Sequence, residues 1–310
     1  MKTTIAQKSL TVKPRQPFKA LKGVRIVSLA LNLPGPAALM RCQQMGASCV
    51  KLEPPPNPSA IKGTSGDPMG LYNRGAYNEL HDQVRITQAD LKTEKGQKTL
   101  HRELAKADVL LTSFRPSALR KLGLEWTALH KRYPELSCVA IVGAAGSRAE
   151  EPGHDLTYLA ESNLVTGLDL PPTLYADMGG SLMASEAVLQ ARLHQLARGK
   201  GLRLEVALSD AAAYLALPRY WGLTTKGAAV GGGHAGYKVY ACKDGRVALA
   251  ALEPHFAASL AVAVGLPQSN IMAMFAPTTH QAIADYLLSQ TRAQLDALAV
   301  AKDIPLHTLP

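Results

Sequence analysis

Three stretches of the chain carry side chains able to move protons. His154 and Asp155 lie in Pro152-Gly153-His154-Asp155, Asp177 in Ala176-Asp177-Met178-Gly179-Gly180, and Glu253 in Ala251-Leu252-Glu253-Pro254. A histidine and carboxylates from separate segments can supply two proton-transfer groups and an orienting partner. Each also has a plainer reading. His154 alone suits a structural or surface role. Asp155 and Asp177 each stand where an acidic residue caps a helix. Glu253 precedes a proline at a helix start, where a negative charge is stabilised by the helix dipole.

The neighbours His154 and Asp155 cannot easily flank one atom, whereas His154 and Asp177 can. A neutral imidazole acts as a base near pH 7, and a carboxylate partner fixes its tautomer.

Composition narrows the partners. The chain has 310 residues, 47% of them hydrophobic, enough for one large or two unequal domains with full cores. Its 34 Lys+Arg against 24 Asp+Glu give a net charge of +10, which suits phosphate-bearing partners. The basic residues are scattered and aromatics make up only 5%, so nucleic-acid binding lacks its pattern of patch and stacking platform. The four cysteines, Cys42, Cys49, Cys138 and Cys242, form no CxxC pair and read as buried thiols. The nine histidines show no HExxH and no Cys/His ligand spacing, so no metal is expected. No GxSxG elbow marks a serine hydrolase. Gly231-Gly232-Gly233-His234-Ala235-Gly236 fits GxGxxG only formally, because a strand follows it where a dinucleotide site needs a helix. Without an apolar leader or membrane-length run, the expected location is the cytoplasm, with no membrane partner.

The elements that must position these groups follow from periodicity. Residues 1–20 read as an N-terminal arm. Val24–Leu29 is a strand, 37–46 a helix and 48–52 a strand, which is the length of a βαβ unit. Residues 57–83, rich in Gly, Pro, Asn and Ser, read as a long functional loop with room for short helical turns. Strands at 108–112, 137–142 and 202–208 alternate with helices at 95–107, 116–121, 126–133, 156–164, 180–197 and 210–217. That alternation predicts an α/β fold with a parallel sheet covered on both faces. After Lys226 the pattern changes to a hairpin, 237–241 and 246–251 around Asp244-Gly245. The boundaries predicted are a large domain over 21–225, a small α+β domain over 226–290 and a C-terminal segment, 291–310, returning toward the large domain.

An ordered series of short motifs carries a resemblance. It runs Leu21-Lys22-Gly23-Val24-Arg25-Ile26, Pro34-Gly35-Pro36, Val50-Lys51-Leu52-Glu53-Pro54-Pro55, Ala107-Asp108-Val109-Leu110, Phe114-Arg115-Pro116, Leu122-Gly123-Leu124, Pro152-Gly153-His154-Asp155 and Arg198-Gly199-Lys200-Gly201. From about Leu21 onward the chain resembles the family III CoA-transferases, which include the α-methylacyl-CoA racemases. The resemblance implies a Rossmann-like large domain, a small domain, an interlocked homodimer and acyl-CoA thioester substrates. In the transferase branch the aspartate matching Asp155 is a nucleophile that forms an acyl anhydride. In the racemase branch the histidine matching His154 and the aspartate matching Asp177 invert an α-carbon through an enolate, and the glutamate matching Glu253 orients the histidine. His154 stands where transferases usually have tyrosine, which favours racemase-type proton transfer on a 2-methylacyl-CoA-like thioester. Arg115, Lys51 and Arg85 are the implied coenzyme A contacts. The family's CoA-contacting loop is altered here to His81-Asp82-Gln83-Val84-Arg85-Ile86, so a CoA-binding homologue with impaired catalysis is a further reading.

Overall fold

The computed structural model describes residues 18–56, 65–267 and 271–310. Most of the expected N-terminal arm and the first part of the loop expected at 57–83 lie outside the described residues. The chain divides into two compact units, Met1–Leu215 and Ala216–Pro310.

The first unit holds six strands: β1 (Arg25–Ser28), β2 (Ser48–Glu53), β3 (Arg85–Gln88), β4 (Val109–Thr112), β5 (Ser137–Val142) and β6 (Arg203–Ala207). They form one parallel sheet in the order β3-β2-β1-β4-β5-β6. The order reverses between β1 and β4, and ligands of such sheets bind in the crevice outside the carboxyl ends at that point. The helices are α1 (Pro34–Gln44), α2 (Met69–Tyr72), α3 (Arg74–Leu80), α4 (Glu94–Leu104), α5 (Pro116–Lys121), α6 (Trp126–Arg132), α7 (Asp155–Glu161), α8 (Tyr175–Arg198) and α9 (Leu208–Leu215).

The central strands are buried on both faces, and their side chains alternate between two cores. Ile26, Leu111, Val139 and Ile141 face one core with Leu39 of α1, Leu159 of α7 and Val188 of α8. Val27, Leu110 and Cys138 face the other with Leu100 of α4, Leu119 of α5 and Leu129 of α6. All four cysteines are buried free thiols.

Within the expected long loop the short helical turns are α2 and α3, with the Asn73 side chain accepting the Ala76 amide at the start of α3. One boundary differs from expectation. Helix α8 starts at Tyr175, ahead of the double glycine expected to open it. Those glycines serve contact instead: a Cβ on Gly180 would come within 2.3 Å of Leu208 Cδ2. Gly199 closes α8 in the left-handed conformation, φ 65°.

The second unit starts before the predicted boundary at 226, because α9 is the last element of the first unit. Its helices are α10 (Leu217–Tyr220), α11 (Pro254–Val264), α12 (Pro277–Ser289) and α13 (Arg292–Lys302). Strands β7 (Tyr237–Cys242) and β8 (Gly245–Ala250) form the expected hairpin, and β9 (Leu306–Leu309) pairs antiparallel with β8. The segment 291–310 packs within this second unit. Its Leu295 and Ile304 enter the same core as Val247 and Leu249 of β8. No helix of the described residues is long and apolar enough to cross a membrane.

Candidate active site

A cavity of about 170 Å³ opens at the carboxyl ends of β1, β4 and β5, where the strand order reverses. Leu31, Asn32 and Pro34 line it after β1, Ser113 and Arg115 after β4, and Val142 and Gly143 at the end of β5. Gly153, His154, Tyr158 and Asp177 complete the wall relevant to chemistry.

His154 is the N-cap of α7, and its backbone exchanges hydrogen bonds with Thr157 Oγ1 at 3.1 and 2.7 Å. Asp155 is the first residue of α7 and is buried. Its Oδ1 accepts the backbone amide of Asp177, 3.0 Å away, so it steadies the start of α8 rather than capping its own helix. Asp177 lies in the first turn of α8. Burial raises its carboxyl to about 6, the nearby Asp155 charge adds to the rise, and His154 opposes it. A carboxyl with that value exchanges protons readily near neutral pH.

Arg115 caps α5 and makes no ion pair among the described residues. Its position is fixed from the next residues along: Glu150 accepts the Ser117 amide at 2.6 Å and the Ser117 hydroxyl at 2.9 Å. An unpaired guanidinium lining a cavity is suited to an anionic group.

Two expected CoA contacts are placed differently. Lys51 is fully buried. Its Nζ contacts Asp67, lies 3.1 Å from Glu53 Oε1 and 2.8 Å from His81 Nε2. The His81 Nδ1 donates to the Tyr77 carbonyl at 2.6 Å, so Nε2 accepts from the lysine. Burial and the lysine charge hold the His81 pKa below its usual value. Glu53, Asp67 and His81 have metal-ligand spacing, but the cation among them is the protein's own ammonium. Lys51 is thus an internal brace and is not available to a phosphate. Its Asp67 partner also accepts the backbone amide of Asn32 at 3.0 Å, and Asn32 lines the cavity with a left-handed φ of 64°. Arg85, on the edge strand β3, is paired to Glu103 at 2.7 Å and does not line the cavity.

Glu253 belongs to the second unit, as the N-cap of α11. The first unit itself therefore brings together His154, Asp155, Asp177 and Arg115. Sequence reading passed over Tyr158, Asn32 and Ser113, which line the same cavity. Tyr158 had a signal: it follows His154 by one helical turn on α7.

Comparison with known proteins identifies the family. The CoA-transferase family III model matches residues 21–309. The chain is 28% identical to the α-methylacyl-CoA racemase of Homo sapiens over 297 residues, 89% of this chain and 74% of that protein. It is 30% identical to the cinnamoyl-CoA:phenyllactate CoA-transferase of Clostridium sporogenes over 204 residues, 62% of this chain. The match spans only about half of that transferase, 50%, and 52% of Rv3272 from Mycobacterium tuberculosis. The crystal structure of Rv3272 superposes with a TM-score of 0.75 at 22% identity, covering 94% of this chain and 85% of that one. A CaiB/BaiF family protein from Brucella suis gives 0.72 at 22% identity, covering 92% and 82%. The fold, the site at its strand-order reversal and a family match over nearly all of its length place this chain in the CoA-transferase family III.

Proposed function

We propose that the protein catalyses α-proton transfer, of racemase or epimerase type, on a 2-methylacyl-CoA-like thioester. The observation that carries this reading is the pairing of His154 and Asp177 on the wall of one cavity, with the Asp177 carboxyl raised to about 6. Such a pair can take a proton from one face of a carbon and return one to the other. The C–H electron pair moves into an enolate, and reprotonation restores the thioester with either configuration. Arg115 is the proposed contact for the phosphates of coenzyme A. The likeness to α-methylacyl-CoA racemase over 89% of the chain supports the same reading.

The experiment is incubation with branched acyl-CoA thioesters in heavy water. Deuterium is expected at the α-carbon, and a panel without incorporation ends the proposal. The role that the resemblance gives Glu253 is tested by Glu253→Gln, expected to lower kcat about tenfold or more with a shifted pH profile. The interlocked homodimer also comes from the resemblance and is tested by light scattering.

A second reading is CoA transfer with Asp155 as nucleophile, favoured by the likeness to the cinnamoyl-CoA:phenyllactate CoA-transferase. Against it stands the burial of Asp155, with one carboxylate oxygen on the Asp177 amide. Hydroxylamine trapping at Asp155 together with CoA exchange between two acids would establish transfer.

A further inference from the structure

Three tyrosines of the described chain are buried to the same degree, each 7% exposed: Tyr77, Tyr158 and Tyr240. A buried phenol ordinarily finds a partner for its hydroxyl. Tyr77 donates to Glu53 Oε1 at 2.8 Å, and Tyr240 donates to the Ala235 carbonyl at 2.8 Å. The Tyr158 hydroxyl has no hydrogen-bond partner among the described residues, yet it is not among their enclosed, unpartnered polar atoms. It therefore keeps its access to the cavity that Tyr158 lines.

The surrounding backbone is cut to fit this hydroxyl. A Cβ on Gly143, at the end of β5, would stand 2.3 Å from it, and one on Gly153, before α7, would stand 2.6 Å from it. Both glycines line the cavity. Two separate loops thus lack side chains where the phenol oxygen comes closest.

We propose that Tyr158 is a catalytic hydrogen-bond donor to the thioester oxygen of the substrate. The proposal rests on the proton-transfer reading above. As the α-proton leaves for the base, the C–H electron pair becomes the enolate double bond and negative charge collects on that oxygen. The Tyr158 O–H shortens its hydrogen bond to the oxygen and keeps its own proton, so the phenol is unchanged at the end of the cycle. A neutral donor suits this task, and burial, with the nearby Asp177 charge, holds the phenol pKa above its ordinary value. Donors aimed at developing charge in a water-poor site are among the larger contributions to catalysis.

The test compares the wild-type protein with Tyr158→Phe in two measurements. One is α-deuterium exchange on a branched acyl-CoA, and the other is the carbonyl stretch of the bound thioester by Raman difference spectroscopy. The Phe variant is expected to lose about 100- to 1,000-fold in kcat with KM within about threefold, as removal of one such donor does. The bound carbonyl stretch should move back toward its value in free acyl-CoA. Equal kcat in the two proteins, or a change confined to KM, overturns the proposal. If the wild-type protein catalyses no exchange, the proton-transfer reading fails first and the spectrum decides Tyr158. A lowered carbonyl stretch that disappears in the variant supports the donor, and equal spectra sink it. Should Tyr158→Phe fail to fold, Gly143→Ala displaces the hydroxyl without removing it. The same loss of kcat is expected, and undiminished turnover would count against the idea.

Discussion

The backbone amide of Asp177 donates to Oδ1 of Asp155 across 3.0 Å, and this bond ties the first turn of α8 to the first residue of α7. Two carboxyl groups that a parallel-sheet topology could have kept apart are side by side. Both sit at helix N-termini, where the helix dipole favours the ionised form. For Asp177 burial and the neighbouring charge outweigh that effect and raise its carboxyl to about 6.

Asp177→Asn separates function from stability. Folding raises this carboxyl from 3.8 to about 6, so the folded state binds more protons than the unfolded state between those values. Stability then falls as pH rises through that window, and above it the ionised carboxylate costs up to about 3 kcal/mol. The Asn variant is expected to melt at a higher temperature than wild type at pH 8 and at the same temperature near pH 3. It should also lose α-proton exchange by a factor of about 100 or more. Thermal melts at the two pH values and a deuterium-incorporation assay check both halves.

Asp155 is probed by a pair of variants. Asp155→Asn retains an oxygen that can accept the Asp177 amide, and Asp155→Ala does not. Alanine should cost about 1 kcal/mol or more of stability by stranding that amide, with a smaller loss for asparagine. Under proton transfer the Asn variant keeps most of its exchange activity. A complete loss of turnover in Asp155→Asn, with the fold intact by circular dichroism, would point to the anhydride-forming transferase instead.

Arg115 should decide affinity rather than chemistry. Arg115→Ala removes a guanidinium that has no ion-pair partner among the described residues, so no internal carboxylate is stranded. A charge-assisted contact to a phosphate is worth roughly 1.5–3 kcal/mol, a weakening of about 10- to 100-fold in the Kd for coenzyme A. Calorimetry reads that change, and its loss at high salt in the wild-type protein is a second check.

Lys51→Met should be a folding lesion. It would leave Glu53 and Asp67 buried without the cation they share. Breaking a buried pair by removing one partner typically costs about 3–5 kcal/mol. Urea denaturation is expected to show a much lower midpoint with a similar slope.

Much of the sheet was legible because its middle strands are apolar runs. Ser137–Val142 is buried at every position and stands where the sequence reading placed it. Two of the edge strands, β3 and β9, escaped notice for the converse reason. Arg85–Gln88 and Leu306–Leu309 are short and partly exposed, and they carry no apolar run or clean alternation. The segment after residue 64 read as a loop because its glycines and asparagine signal turns, although Asn73 is in fact a helix cap. At the site, the resemblance singled out His154, Asp155 and Asp177; His154 and Asp177 line the cavity with Arg115, and Asp155 is buried with the Asp177 amide on its Oδ1. The resemblance makes Lys51 a coenzyme A contact, whereas the structure buries it among its own carboxylates. Its partners Asp67 and His81 come from distant positions that periodicity cannot link to it. Tyr158 went unnoticed because a tyrosine in an amphipathic helix is most often core.

Asp67 has a further consequence for the cavity. One of its oxygens meets the lysine brace and the other holds the Asn32 amide at the cavity wall. The left-handed turn at Asn32 is thereby clamped by a charge that never meets solvent. Changes within that sealed polar knot could tune the shape of the cavity mouth while every reacting group kept its identity, so kinetic diversity among related sequences need not be written in the residues that touch the thioester.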